Sequence, residues 1–173
     1  MSRNIITILI LIFTIHCSSQ TFNWDKERKL KWDDFKGPVK NWDVAAVSYC
    51  GISVKTLKTK FWNGKSKYLA YAEFDCDSSF YKPKRINKNV LSHEQLHFDI
   101  SELYARKINQ VFAKKGFIQG EEASKIYDSI NLIYSKRQSM YEKETEFGTI
   151  IDKQEIWNQR IFQELKELEN FTN

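Results

Sequence analysis

Histidine is scarce in this chain. Only three occur in 173 residues, and His16 falls in an N-terminal leader, so any site built on imidazole must use His93 and His97. Cysteine is as rare: Cys17 also sits in the leader, which leaves the pair Cys50 and Cys76. Past the leader there is no long apolar run, and the leader's own stretch from Ile5 to Ile15 is too short for a comfortable membrane span. A long basic run and a stacked aromatic platform are missing too. The 27 basic and 22 acidic residues give a net charge of +5, read as a solvated surface of lysines scattered among acids, so nucleic acid is not an expected partner. Repeats, low-complexity tracts and long linkers are absent as well.

The leader itself, with Arg3 as its charged start and Ser18 and Ser19 after the apolar stretch, reads as a signal peptide over residues 1–19, with cleavage before Gln20. Acylation at Cys17 is the competing reading, disfavoured because His16 stands where a small residue is wanted. Export to the periplasm or the cell exterior is the expected localisation. What remains, residues 20–173, is one domain's worth of chain.

His93-Glu94-Gln95-Leu96-His97 is an HExxH run. On a helix, imidazoles four residues apart point the same way and can hold a zinc ion (Zn2+), while the glutamate between them acts as the base for an attacking water. With no third histidine, a further ligand must be acidic or a thiolate. Two histidines one turn apart can also simply pack in a core.

Period-two patterns mark two strands: Cys50, Ile52 and Val54 are apolar with Ser53 and Lys55 polar between them, and Tyr68, Ala70, Ala72, Phe74 and Cys76 form a second apolar row. Trp62-Asn63-Gly64 suits a three-residue hairpin loop with glycine in the left-handed position, closed by Phe61 and Lys65. That register keeps both apolar rows on one face and sets Cys50 opposite Cys76, either as a disulfide or as two buried thiols.

Downstream the period becomes helical. A first helix is expected from about Asn87 to Lys115, ending at Gly116, with His93 and His97 on the same inward line as Ile100, Tyr104, Ile108 and Val111. A second should run from about Glu121 to Glu146, closed by Gly148, with Ile126, Ile130 and Ile133 facing inward. A third starts at Asp152, capped with help from Glu155, and buries Trp157, Ile161, Leu165 and Leu168. The fold class is therefore α+β: an N-terminal antiparallel hairpin or small sheet packed on about three helices. Trp24, Leu30, Trp32 and Phe35 add aromatic packing.

At about 100° per residue, Glu144 shares the angular position of Ile126, whereas Glu142 is rotated by about 160° and Glu102 stands about 180° from His93. A carboxylate on an inward stripe needs a positive partner, and a metal held by two histidines would be one. Glu144 is thus the expected third metal ligand. The alternative is a frayed last turn in which it meets water or a lysine.

The blocks Leu30-Lys31-Trp32-Asp33-Asp34-Phe35-Lys36-Gly37, His93-Glu94-Gln95-Leu96-His97-Phe98-Asp99-Ile100 and Tyr141-Glu142-Lys143-Glu144-Thr145, with Gly148, Gln154 and Trp157, resemble the bacterial domain-of-unknown-function family 922, regarded as secreted zinc-dependent peptidases with a zincin-like fold. The resemblance implies metal ligands at His93, His97 and Glu144, a catalytic Glu94, and a peptide or protein substrate. Phe147 departs from it, standing where the family has a histidine; by helical angle it should face inward. If that histidine is a ligand, metal binding suffers; if it donates a proton or a hydrogen bond, turnover falls by about 10² or more. The rival reading is a catalytically impaired exported binding or assembly module. Tyr141 and Tyr104 are candidate oxyanion donors, and Asp99 and Glu102 candidate partners for the imidazoles.

Overall fold

The computed structural model describes residues 20–172; the leader, its cleavage point and Cys17 lie outside the described residues. Five strands precede three helices: β1 (Thr21–Asn23), β2 (Ala46–Val47), β3 (Cys50–Thr59), β4 (Ser66–Asp75), β5 (Phe80–Tyr81), α1 (Lys88–Lys115), α2 (Gly120–Thr145) and α3 (Ile151–Glu167). The chain is α+β, with a small antiparallel sheet packed on helices, as the periodicities require. Among the described residues no helix is long and apolar enough to cross a membrane.

α1 is the central element. Asn87 caps it by accepting from the backbone N–H groups of Asn89 and Val90, and Gly116 ends it at φ 72°. These are the start and stop signals that chain chemistry offers a helix: a short side-chain acceptor for orphan donors, then a residue free to turn left-handed. Ile100, Leu103, Ile108 and Phe112 are buried in a core shared with Ile52 and Ala70 of the sheet and with Tyr141, Trp157 and Ile161 of the other helices. A second cluster, Leu30, Phe35, Ala72, Phe74, Cys76 and Phe98, closes the N-terminal side. There Leu30 donates its N–H to Gln95 at 2.7 Å and Trp24 donates to Asp99 at 2.6 Å, which ties the aromatic N-terminal segment to the back of the HExxH turn.

The main sheet has the order β1-β4-β3, and β2 pairs with β5 separately. Even positions of β3 and β4 share one face, as expected, but the register is shifted. Cys50 lies opposite Phe74, not Cys76, because a bulge between Thr56 and Lys58 adds Leu57 to one strand and the loop closes one residue wider, with Lys60 donating to the Lys65 carbonyl at 2.8 Å. Gly64 takes the left-handed position at φ 64°. The expected Cys50–Cys76 bridge is not formed, and both thiols are free. Cys50 Sγ accepts from the Ser101 hydroxyl at 3.4 Å, and burial pushes its thiol up to about 12, so it stays protonated. α3 begins one residue earlier than expected, after Ile150, without a side-chain cap from Asp152.

Candidate metal centre

His93 and His97 sit one turn apart on α1, both buried. Their rings lie edge to face with centroids 4.7 Å apart, and their Nε2 atoms approach to 3.2 Å. Tyr141 of α2 stacks on His93 at 4.6 Å and meets the His97 ring edge-on at 4.8 Å, filling the space that would let either ring rotate.

Two glutamines fix the proton on each ring. Gln138 donates its amide N–H to the His97 carbonyl at 3.0 Å, so its oxygen faces His97 Nδ1 at 2.7 Å and accepts a hydrogen bond from it. Gln154 donates to Asn158 at 2.9 Å, which turns its oxygen toward His93 Nδ1 at 3.1 Å. Both imidazoles therefore carry hydrogen on Nδ1 and present a bare Nε2 lone pair to the same point. Asp99 and Glu102, expected in this supporting role, are engaged elsewhere: Asp99 with Trp24 and Gln95, and Glu102 with Arg106 at 2.8 Å.

The acid that completes the cluster is Glu142, not Glu144. Its Oε1 lies 3.2 Å from His97 Nε2 and its Oε2 3.4 Å from His93 Nε2. These ligand atoms fall within 4.8 Å of one another. Glu144 instead accepts from Trp157 Nε1 at 2.9 Å and ties α2 to α3. The physical reason is the choice of inward stripe. Ile133 is 55% exposed, whereas Ala123, Tyr141 and Thr145 are buried and Tyr134 packs against the core. That true stripe is rotated by about 80° from Ile126, which places Glu142 and Glu144 about 80° to either side of it. One side faces the histidines of α1, the other faces α3. The tyrosines were the signal that sequence reasoning missed.

Two lone pairs and a carboxylate converging without a donor is an unstable arrangement on its own. Glu142 Oε2 is buried and has no hydrogen-bond partner, a costly state unless a cation or a proton stands between the three groups. In the metal-free protein a proton is the remedy. Burial works against a charged ring, but hydrogen bonding to Glu142 and the charges of Glu94 and Glu142 hold His97 above its ordinary value. Burial likewise opposes the Glu142 carboxylate, yet once a proton sits on the facing nitrogens, hydrogen bonding and attraction from His93 and His97 bring it down to about 2. The raised histidine contributes stability that is complete below its unfolded value of 6.5 and is lost as pH rises through the folded one. The depressed glutamate contributes stability that is complete above 4.5 and is lost on acidification toward about 2. Chelator-treated protein should therefore melt highest between pH 4.5 and 6.5. Added zinc must displace that proton, so its stabilisation should grow toward neutral pH. Melting curves across pH with and without zinc check both halves.

The wall of the site depends on glycine at position 148. Gly148 has φ 77°, and a Cβ built there would lie 2.8 Å from His93 Cβ and Cγ. Gly148→Ala should push the His93 ring off its glutamine and weaken metal affinity by about 10- to 100-fold, the usual cost of losing a ligand's support. Competition titration of zinc against a chromophoric chelator would read this; unchanged affinity would show that His93 does not need that wall.

Glu94 completes the constellation. Its Oε2 accepts the Ser48 N–H at 2.8 Å, which fastens the carboxylate to the end of β2. Glu94, His93, His97 and Glu142 line a cavity of about 110 Å³ whose other wall is Val44–Ser48 and whose rim carries Val90 and Phe147. Phe147 does not face inward as the helical angle implied: α2 ends at Thr145, Glu146 and Phe147 turn left-handed at φ 46° and 58°, and the Phe147 side chain is 62% exposed. Neither tyrosine lines this cleft. Tyr141 is fully buried and donates a hydrogen bond to Gln154 at 2.8 Å, and Tyr104 packs on Tyr134 in the core.

Comparison of the chain with protein-family models, with curated proteins and with solved structures found no match.

Proposed function

We propose that this protein is an exported zinc-dependent peptidase related to the family 922 enzymes that its motifs resemble. The observation that carries the reading is the Glu142 carboxylate, its Oε2 orphaned, facing two bare imidazole nitrogens beside Glu94 in one cleft. Two imidazoles and a carboxylate are a donor set that suits zinc with a position left open. When bound there, zinc would supply a Lewis acid for the substrate carbonyl and lower the pKa of water.

The protein's own groups supply the rest. His93, His97 and Glu142 would hold the ion, oriented by Gln154, Gln138 and the tyrosine packed between them. Glu94 takes the proton of the attacking water and passes it to the leaving amine, and the Ser48 N–H keeps it aimed. The cleft wall formed by Val44–Val47 is apolar, so it excludes water and favours an extended peptide over a sugar or a nucleotide.

Phe147 favours a second reading, the catalytically impaired module. The three donors are already complete without a side chain at position 147, which argues that the family's histidine there is not a ligand and that metal binding survives its loss. A phenylalanine can offer no proton or hydrogen bond at the rim, so turnover would be the property that suffers. Zinc-loaded protein and a broad peptide library separate the readings. Chelator-sensitive cleavage that disappears in Glu94→Gln supports the enzyme; stoichiometric metal with no cleavage supports the module.

A further inference from the structure

We propose that the tip of the β3–β4 hairpin is a docking surface for an anionic lipid bilayer. Phe61 is 99% exposed and Trp62 78% exposed, at the tip of the hairpin, and the bulge leaves Leu57 outside the ladder at 56%. Large apolar side chains held in water do nothing for the fold, and when they gather at one projecting point they mark a surface that something else covers.

Charge says what covers it. Residues 51–72 carry five lysines, Lys55, Lys58, Lys60, Lys65 and Lys67, and no acid. The rest of the chain is balanced at 22 basic and 22 acidic residues, so residues 51–72 hold the whole net charge of +5. The lysines look scattered in sequence, but the strand pairing gathers Lys58, Lys60, Lys65 and Lys67 toward the aromatic tip, with Lys55 further down the strand. Lys60 Nζ stands 6.0 Å from the Trp62 ring centroid and 4.3 Å from that of Phe117, and Lys67 Nζ lies 5.2 Å from Phe117. Aromatic rings that enter the headgroup boundary, flanked by ammonium groups that meet lipid phosphates, are the chemistry of interfacial anchoring. A convex tip suits a soft planar surface, where a protein partner would have to supply a groove.

The tip is also braced. Ser66 and Ile118 exchange backbone hydrogen bonds at 2.8 and 3.0 Å, and Gln119 donates to the Asn63 carbonyl at 3.0 Å. The backbone that presents the aromatics is thus held in place before binding. This brace lies beyond the C-terminal end of α1, while His93 and His97 sit near its start, so docking holds the cleft roughly 30 Å from the lipid. The proposal does not depend on catalysis.

The test is co-sedimentation of the full chain with vesicles of mixed phosphatidylglycerol and phosphatidylcholine, against vesicles of phosphatidylcholine alone. The protein should partition onto the mixed vesicles only, and added salt should release it. Phe61→Ser with Trp62→Ser should weaken partitioning at least about tenfold, and each of Lys58→Gln and Lys65→Gln by about fivefold, with circular dichroism and melting temperature unchanged because these side chains touch solvent. Four results would overturn it: no binding, equal binding to phosphatidylcholine alone, undiminished binding by the aromatic variant, or tighter binding to a single-stranded oligonucleotide than to the vesicles. So would a lipid-free dimer that the aromatic substitutions dissolve, which would assign the tip to a second copy of the chain.

Discussion

Glu142→Ala should abolish stoichiometric zinc binding, while Glu144→Ala should leave it intact. Among the described residues Glu142 is the only carboxylate whose oxygens approach both Nε2 atoms, so its removal leaves two neutral donors and no anionic ligand. The loss should far exceed the about 10- to 100-fold expected of Gln138→Ala, which removes the hydrogen bonds that support one ligand but no ligand itself. Glu144→Ala acts elsewhere. It strips the acceptor from Trp157 Nε1 and should lower stability by about 1–3 kcal/mol, the cost of an unmet buried donor. Competition titrations with zinc and denaturant melts of the three variants would separate ligand, support and strut. If Glu144→Ala lost the metal and Glu142→Ala kept it, the site drawn here would be wrong.

Glu94→Gln should keep the metal and lose the reaction. The amide oxygen can still accept the Ser48 N–H that now reaches Glu94 at 2.8 Å, so the side chain stays in place with its shape almost unchanged. What disappears is the basic oxygen, and kcat/KM should fall by about 10²–10⁴, with KM little altered because binding is untouched. Steady-state kinetics on any substrate from the peptide library, alongside zinc analysis of the same sample, would check it. Cleavage at the unsubstituted rate would remove Glu94 from the mechanism.

Much of this fold was legible because its signals are local. Asn87 and Gly116 bound α1 chemically, and the alternation of β3 and β4 shows which face is buried whatever the register. The register itself was not legible, since a shift of two residues still pairs even with even, and a bulge at Leu57 leaves no mark in the apolar pattern. The wider loop and the bulge together moved Cys50 from Cys76 to Phe74. The site was half legible for a similar reason. HExxH fixes its own geometry within one helical turn, but the third ligand comes from another helix, whose rotation depends on which residues pack. Isoleucines at 126, 130 and 133 looked like the stripe. Ile126 and Ile130 do pack against the core, but Ile133 is exposed and the stripe centres on Tyr134 and Tyr141, because a tyrosine can bury its ring and still satisfy its hydroxyl, as Tyr141 does on Gln154.

Glutamines 138 and 154 were legible only as polar residues on helices. Their meaning appears when the rings they orient are in place, and with it the direction of each Nε2 lone pair.

X-ray absorption at the zinc edge, on protein loaded with one equivalent near neutral pH, tests the central claim most directly. The arrangement of His93, His97 and Glu142 predicts nitrogen and oxygen donors only, at about 2.0–2.2 Å, with the outer-shell scattering of two imidazoles. A sulfur donor at about 2.3 Å, a single imidazole, or a protein that takes up no stoichiometric zinc would contradict it.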